Sequence, residues 1–339
     1  MSGENREYLS ASEVAAHTGL SAHEIYRLVR AGKMPAFKSA GGQYRFRLRE
    51  IAPFRKKKKS AAAPPPRTVV RPRGTTQTIF CGDARELRGV ADDGVHLAIT
   101  SPPYFNAKMY AEKQRGDLGD MHDWREWLAE MKKAWAEVFR VLRPGRKFFL
   151  NIMNLPVREN KSFRALNLAG KNIELCEEAG FVFKRDIVWH KTNGVRAHFG
   201  TYPNPGGILI NNMHEFILEF EKPGKQDGKK YAHVNSRQRA ESKLDREFWL
   251  SVKNSDVWLI KPEKSGGREH AAPFPSELPE RLIRAFSYVG ETVLDPFAGS
   301  GTTLAAAAQW KRNGIGVEIN PAFCKMAARR LAEMQESFT

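Results

Sequence analysis

From about Thr76 to the C-terminus the chain alternates short, continuously apolar runs with longer stretches in which apolar residues recur every three to four positions. The runs at 78–80, 95–100, 292–295 and 314–318 lack the strict in–out alternation of a half-exposed strand. They read as strands buried on both faces of a parallel sheet. Between them, residues 124–142 place Trp127, Met131, Trp135, Val138 and Leu142 on one helical stripe, which reads as core, with Gly145 as the stop. A helix and turn are expected over 84–94, and a helix over 304–310. Regular strand–helix alternation implies an α/β sheet. The rhythm breaks over 191–262, and no internal repeat is visible.

The first fifty residues follow a different pattern. Ser10 can cap a helix over 11–18, with Glu13 placed for a capping box. Gly19 ends that helix, and Ser21 caps a second over 22–31, whose stripe is Ile25, Leu28 and Val29 and whose stop is Gly32. Two short helices joined by a glycine turn form a helix-turn-helix. Two short strands are then expected around Gly41-Gly42, with Arg45 and Arg47 on one face and Tyr44 and Phe46 on the other. Residues 55–75 combine Arg55, four consecutive lysines and Pro64-Pro65-Pro66. Such a stretch buries no apolar surface and favours extended backbone. The expected organisation is therefore a DNA-binding unit at 1–54, a basic linker at 55–76 and an α/β domain at 77–339.

Composition sharpens this picture at two points. With 339 residues and 41% hydrophobic content, a full core is available. The formal net charge is +17, and it is uneven. Residues 1–75 hold 16 Lys/Arg against 5 Asp/Glu, whereas the rest hold 39 against 33. A polyanionic partner, nucleic acid above all, is the expectation. No run approaches the ~20 apolar residues of a membrane helix, and no signal segment opens the chain. Cys81, Cys176 and Cys324 are too far apart for a CxxC site, and His190, His198 and His233 are scattered, so neither a disulfide framework nor a metal site is expected. A reducing, cytoplasmic and nucleoid-associated setting follows.

Two segments carry candidate chemistry. The run ending at Thr100 leads into Ser101-Pro102-Pro103-Tyr104, where a parallel sheet places its ligands. Successive prolines remove backbone donors and stiffen the chain, so the Pro102 carbonyl and Ser101 Oγ become acceptors and Tyr104 offers an aromatic face. An exocyclic amino group of a base is a poor nucleophile and needs such acceptors. An enzyme acting on it must take the base out of the stack. The second segment is Asp295-Pro296-Phe297-Ala298-Gly299-Ser300-Gly301-Thr302-Thr303, a glycine turn between a strand and a helix. Glu318 ends the next strand, about 20 residues beyond the first glycine, where a carboxylate meets ribose hydroxyls. No Gly-Lys-Ser/Thr follows, which disfavours a phosphate-binding loop.

Together these segments resemble the β group of DNA amino-methyltransferases, in which the catalytic segment precedes the cofactor segment. The resemblance runs over 77–333, with Gly82-Asp83, Thr100 to Tyr104, Trp135 to Asn151, Val188 to Lys191, His214 to Glu219, His270 to Leu278, Asp295 to Thr303 and Gly316 to Asn320 in the family's order. It implies a Rossmann-like methyltransferase sheet with circularly permuted motifs, S-adenosylmethionine as cofactor and double-stranded DNA as partner. It also implies Ser101, Pro102, Pro103 and Tyr104 as catalytic residues. Asp295, Phe297, Gly299, Ser300, Gly301 and Thr302 would hold the methionine part of the cofactor, Glu318 the ribose and Asp83 the adenine amino group. Thr100, Phe274 and Pro275 would line the same site. The N-terminal segment resembles the winged helix-turn-helix of excisionase and MerR-type proteins, which implies Arg27, Arg45 and Arg47 at DNA. Lys108, Arg196, Arg237 and Arg239 are further DNA-contact candidates, the last three within a target-recognition region expected at 191–262.

Serine at the first motif position points to N4 of cytosine, with N6 of adenine as the alternative. C5 methylation of cytosine requires a cysteine nucleophile, and none lies near the motif. RNA or protein-amide methylation fits the motif order less well, since the related Asn-Pro-Pro-Tyr is absent. A non-catalytic regulator with a methyltransferase fold is the other reading. Neither a monomer nor a homodimer is preferred.

Overall fold

The computed structural model describes residues 8–18, 20, 22–39, 42–54, 63–105, 116–159, 162–192, 210, 212–224, 231–263 and 275–336. It divides into two compact units, Met1–Ala63 and Pro64–Thr339. In the smaller unit, β1 (Tyr8–Ser10) leads into α1 (Ala11–Thr18), followed by α2 (Ala22–Arg30), β2 (Phe37–Lys38), β3 (Tyr44–Arg47) and α3 (Leu48–Ile51). Ser10 and Glu13 form the expected box: the Ser10 N–H donates to Glu13 Oε2 at 2.7 Å and the Glu13 N–H to Ser10 Oγ at 3.3 Å. The antiparallel strand order is β1-β3-β2. Strand β1 was not expected; it closes one side of the wing and contributes Leu9 to a core with Val14, Ile25, Met34, Phe46 and Ile51.

The larger unit runs β4 (Arg67–Val70), β5 (Gln77–Cys81), β6 (Val95–Thr100), α4 (Trp124–Val141), β7 (Leu142–Ile152), β8 (Leu155–Glu159), β9 (Ser162–Leu166), α5 (Leu168–Ala179) and β10 (Val182–Lys191). It continues with β11 (His214–Glu221), α6 (Ser236–Glu241), α7 (Arg246–Lys253), β12 (Val257–Ile260), α8 (Glu277–Phe286), β13 (Thr292–Asp295), α9 (Thr302–Gln309), β14 (Asn313–Glu318) and α10 (Pro321–Glu336). Nine strands form one sheet in the order β12-β10-β11-β7-β6-β13-β14-β5-β4. Strands β7, β6, β13, β14 and β5 are mutually parallel. Strand β11 is antiparallel to both its neighbours, β7 and β10.

The apolar runs are continuous because both sheet faces are covered. Ala98, Phe148 and Leu150 pack with Trp127, Met131 and Trp135 of α4 and Leu168 and Cys176 of α5. Their strand neighbours Leu97, Ile99 and Phe149 pack on the other side with Leu278, Leu282 and Ile283 of α8 and Ala306 and Ala307 of α9. Successive strand residues thus alternate between two buried layers, which is why these runs are apolar at consecutive positions.

Three expectations change. The linker expected through residue 76 is shorter, because Arg67–Val70 adds an antiparallel edge strand to β5. Residues 84–94 form turns rather than a helix: Leu87, Gly89 and Asp93 all have positive φ, which ends helical hydrogen bonding at each. The region 191–262, where the strand–helix rhythm was expected to break, holds two strands of the sheet, β11 and β12, whose Ile217, Trp258 and Ile260 fill the core.

Strand direction then sorts the connections. The chain leaves β6, β7, β10, β12, β13 and β14 at the carboxyl edge of the sheet, and the chain between Lys191 and His214 starts and ends there. Residues 222–256, between β11 and β12, start and end at the amino edge.

Candidate active site at the carboxyl edge of the sheet

Strands β6 and β13 are parallel neighbours, so the segments that follow them meet in space although 195 residues separate Thr100 from Asp295. Thr100 Oγ1 donates to Asp295 Oδ1 at 2.6 Å, and Thr303 Oγ1 donates to Oδ2 at 2.6 Å. The Phe297 N–H adds a third donor at 3.1 Å. Asp295 is buried, and desolvation raises its pKa to about 6 against these three hydrogen bonds. The Thr302 hydroxyl accepts from Arg330 Nη1 at 3.0 Å, and Thr303, one residue on, reaches Asp295. The helix register decides this, since adjacent residues face directions about 100° apart.

Gly301 begins α9 at φ +81°, and a Cβ there would stand 2.9 Å from Ala327 Cβ on α10, so only glycine fits the turn. Glu318, at the end of β14, lies beside it. Its Oε2 accepts the Gly299 N–H at 2.9 Å and its Oε1 the Asn320 N–H at 2.8 Å. Burial is the main reason its pKa rises to about 7. Among the described residues no salt bridge reaches Asp295 or Glu318. On β5, the Cys81-Gly82-Asp83 turn is tied to β14 by the Gly82 N–H, which donates to the Glu318 carbonyl at 2.9 Å. The Asp83 carboxylate receives Arg85 Nε at 2.9 Å and Arg85 Nη2 at 2.5 Å, and Arg85 also reaches Glu130. An adenine amino group would share that carboxylate with the guanidinium. Phe297 packs edge-on against Trp135 with centroids 6.0 Å apart, and Pro275 is buried where α8 begins.

On the other side of Ser101 lies a polar group that sequence reasoning did not single out. Asn151, at the end of β7, directs Nδ2 to Glu215 Oε2 at 2.6 Å and lies 3.5 Å from Ser101 Oγ. Tyr104 Oη donates to the same Glu215 oxygen at 3.1 Å, and Lys191 Nζ pairs with Glu215 Oε1 at 2.6 Å. Asn151 Oδ1 is buried without a partner. The signal for these residues was polar side chains at the ends of otherwise apolar strand runs: Asn151 after Phe148-Phe149-Leu150, and Glu215 before Phe216-Ile217-Leu218.

Residues 95–329 match the family model described as DNA methylase, and residues 8–59 match a helix-turn-helix domain. The chain belongs to the DNA methylase family. Type II methyltransferase M.MjaI of Methanocaldococcus jannaschii is 35% identical over 278 residues, covering 73% of this chain and 88% of that protein. Type II methyltransferase M.MthZI of Methanothermobacter thermautotrophicus is 30% identical over 76% of this chain and 77% of its own length. The solved structure of a DNA modification methylase of Thermus thermophilus, so assigned and complexed with S-adenosyl-L-methionine, is 34% identical with a TM-score of 0.60, covering 77% of this chain and 96% of that one.

The methylase is thus an S-adenosylmethionine-dependent enzyme with a mixed α/β sheet and an N-terminal helix-turn-helix. Its site suits that cofactor. Two enclosed carboxylates held only by hydroxyl and amide donors can accept from the hydroxyl and amino groups of a cationic ligand, and Gly301 keeps the turn compact.

Two of the DNA-contact candidates lie within the described part of the larger unit. Arg237 and Arg239 lie on α6 at the amino edge, where Gln238 Nε2 donates to the Val289 carbonyl just before β13. Both are engaged locally, Arg237 by Glu241 at 2.6 Å and Arg239 by the Tyr231 carbonyl at 2.7 Å. Strand direction puts them at the amino edge: β11 runs antiparallel to β7 and carries the chain away from Ser101. In the helix-turn-helix unit, Arg45 lies on β3, and Arg47 is 3.5 Å from Glu50. Phe274, Lys108 and Arg196 lie outside the described residues, as does the Arg27 side chain. Among the described residues one trio of potential metal ligands comes together, His96, His233 and Glu291, but Arg146 holds Glu291 and approaches His233, so a cation would have to displace a buried guanidinium. No described helix is long and apolar enough to cross a membrane.

Proposed function

We propose that the protein methylates the exocyclic N4 of cytosine in duplex DNA. The observation that carries this reading is the Thr100–Asp295 hydrogen bond, which sets Ser101 directly beside the cofactor turn. When bound, the cofactor supplies an electrophilic methyl group on a sulfonium centre. Asp295 braces the turn through Thr100, Thr303 and Phe297, and Glu318 takes the ribose hydroxyls. Asp83 shares its carboxylate between Arg85 and the adenine amino group. Ser101 Oγ and the Pro102 carbonyl accept hydrogen bonds from the target amino group, which localises the nitrogen lone pair. Pro103 stiffens the segment, and the Tyr104 ring stacks on the extruded base. Positioning supplies most of the rate. Serine, a weaker acceptor than aspartate, favours cytosine. Target recognition belongs to the region 191–262. The basic helix-turn-helix unit supplies a second contact with duplex DNA, which makes the nucleoid its working place.

Incubating the protein with labelled cofactor and unmethylated DNA, then separating the nucleosides, tests this directly. N4-methylcytosine is expected. N6-methyladenine would overturn the base assignment and leave the enzyme reading intact, whereas DNA without label would overturn the enzyme reading.

A further inference from the structure

The carboxylate of Glu215 takes no part in that scheme, yet it joins three of the groups that surround the catalytic segment. It is 7% exposed. Its Oε2 takes both the Tyr104 hydroxyl and the Asn151 amide, and its Oε1 takes Lys191. Each group comes from a different stretch of chain. Lys191 ends β10, Glu215 lies at the start of β11, Asn151 lies near the end of β7, and Tyr104 follows β6. These strands are consecutive in the sheet, so the four groups form one row along its carboxyl edge. A carboxylate removed from water is costly unless it is paired and hydrogen-bonded, and an apolar residue would hold four strands together at least as well. Its retention at this point calls for a use.

We propose that Glu215 is the positioning residue of the base pocket. It fixes the Tyr104 ring through its hydroxyl, and it fixes the Asn151 amide, whose Nδ2 faces both Glu215 and Ser101. Lys191 offsets the charge of the buried carboxylate. Stacking demands a fixed ring plane, and the hydroxyl bond to Glu215 adds to the packing that holds the Tyr104 ring. Asn151 without Glu215 is free to flip, which would present an oxygen rather than an N–H to Ser101 Oγ and change how the serine accepts. The inference rests on the proposed roles of Ser101 and Tyr104.

The test compares wild type, Glu215→Gln, Tyr104→Phe and the double variant on unmethylated duplex DNA, measuring kcat, KM for DNA, cofactor affinity by calorimetry and Tm. Glu215→Gln is expected to lower kcat about 30-fold, the loss of a charge-assisted hydrogen bond, with cofactor affinity within about twofold of wild type. Tyr104→Phe is expected to cost about fivefold, and the double variant no more than Glu215→Gln alone, because both changes break the same bond. Should Glu215→Gln not fold, Glu215→Asp keeps the charge beside Lys191 while withdrawing it from Tyr104, and is expected to show the same kcat loss at near wild-type Tm. Multiplicative losses in the double variant, an unchanged kcat, or a loss that tracks cofactor affinity would each overturn the role of Glu215 alone. A wild-type chain that moves no methyl group to DNA would overturn both this inference and the reading it rests on.

Discussion

Glu291 at the amino edge of the sheet and the pair Asp295 and Glu318 at its carboxyl edge are buried in opposite ways. At the amino edge, Glu291 is closed off by its own chain: Arg146 donates to Oε1, His233 Nε2 lies 2.7 Å from the same oxygen, and the Tyr288 N–H donates to Oε2 at 2.8 Å. Arg146 in turn lies over the Tyr231 ring at 4.8 Å. Burial and the cations Arg146 and Arg143 push the His96 imidazole down to about 3. A cavity of about 230 Å³ opens here, lined by Arg146, Tyr231, Arg284 and Tyr288 among others. At the carboxyl edge, Asp295 and Glu318 are held only by neutral donors, and their pKa values rise to about 6 and about 7. A buried carboxylate with an arginine on it is electrostatically complete and belongs to the scaffold. One held by hydroxyls and amides alone retains acceptor capacity and belongs to a ligand site. By this criterion the cavity and histidine cluster at the amino edge are structural, despite their resemblance to a site.

Breaking the carboxyl edge should cost activity and leave the fold. Ser101→Ala is expected to lower turnover by about 100-fold or more, the scale of losing one acceptor matched to the reacting group, while cofactor affinity by calorimetry survives; loss of cofactor binding would remove the role given to Ser101. Breaking the amino edge should do the reverse. Glu291→Ala leaves Arg146 buried and unpaired, and is expected to cost about 3–5 kcal/mol of stability. Thermal unfolding should show it, with kcat of the folded protein near wild type.

The titrating acids sharpen the contrast. Glu318 must be ionised to accept both ribose hydroxyls, so cofactor affinity is expected to fall by about tenfold between pH 8 and pH 6, as the carboxylate protonates around pH 7. Stability of the cofactor-free protein should move the other way. An acid whose pKa is raised on folding adds stability that is fully present below its unfolded value near 4.5 and is lost as pH rises through about 7. Unfolding midpoints across pH 5–8, with and without cofactor, check both signs, and Glu318→Gln should flatten both curves. The smallest effect is expected from removing residues 1–63. DNA affinity should fall a few-fold at moderate salt and its salt dependence should become shallower, with methyl transfer intact; a truncated chain that fails to fold would remove the division of the molecule at Ala63.

The chemistry was legible where it sits in contiguous segments. Residues 100–104 and 295–303 stand out because a strand end must be followed at once by its turn, and the turn residues are the ones proposed to carry the function. Asn151, Glu215 and Lys191 did not, because each is a single polar residue at the end of an apolar run, and only strand order makes them neighbours. Position between β10 and α8 in sequence likewise says nothing about which edge of the sheet a segment occupies, so only the structure puts Arg237 and Arg239 on α6 at the amino edge.

Local pattern by itself determined that the chain is an α/β enzyme with a basic helix-turn-helix ahead of it, and which two segments are the candidates for its site. Those conclusions depend on periodicity and turn chemistry, which act within a few residues. Tertiary structure alone decided that Thr100 bonds to Asp295, that Thr303 rather than Thr302 completes that brace, and that Glu215 ties Tyr104 to Asn151. Those contacts depend on which strands pair and in which direction, and pairing is settled by burial of both sheet faces across the whole domain rather than by any one stretch of chain.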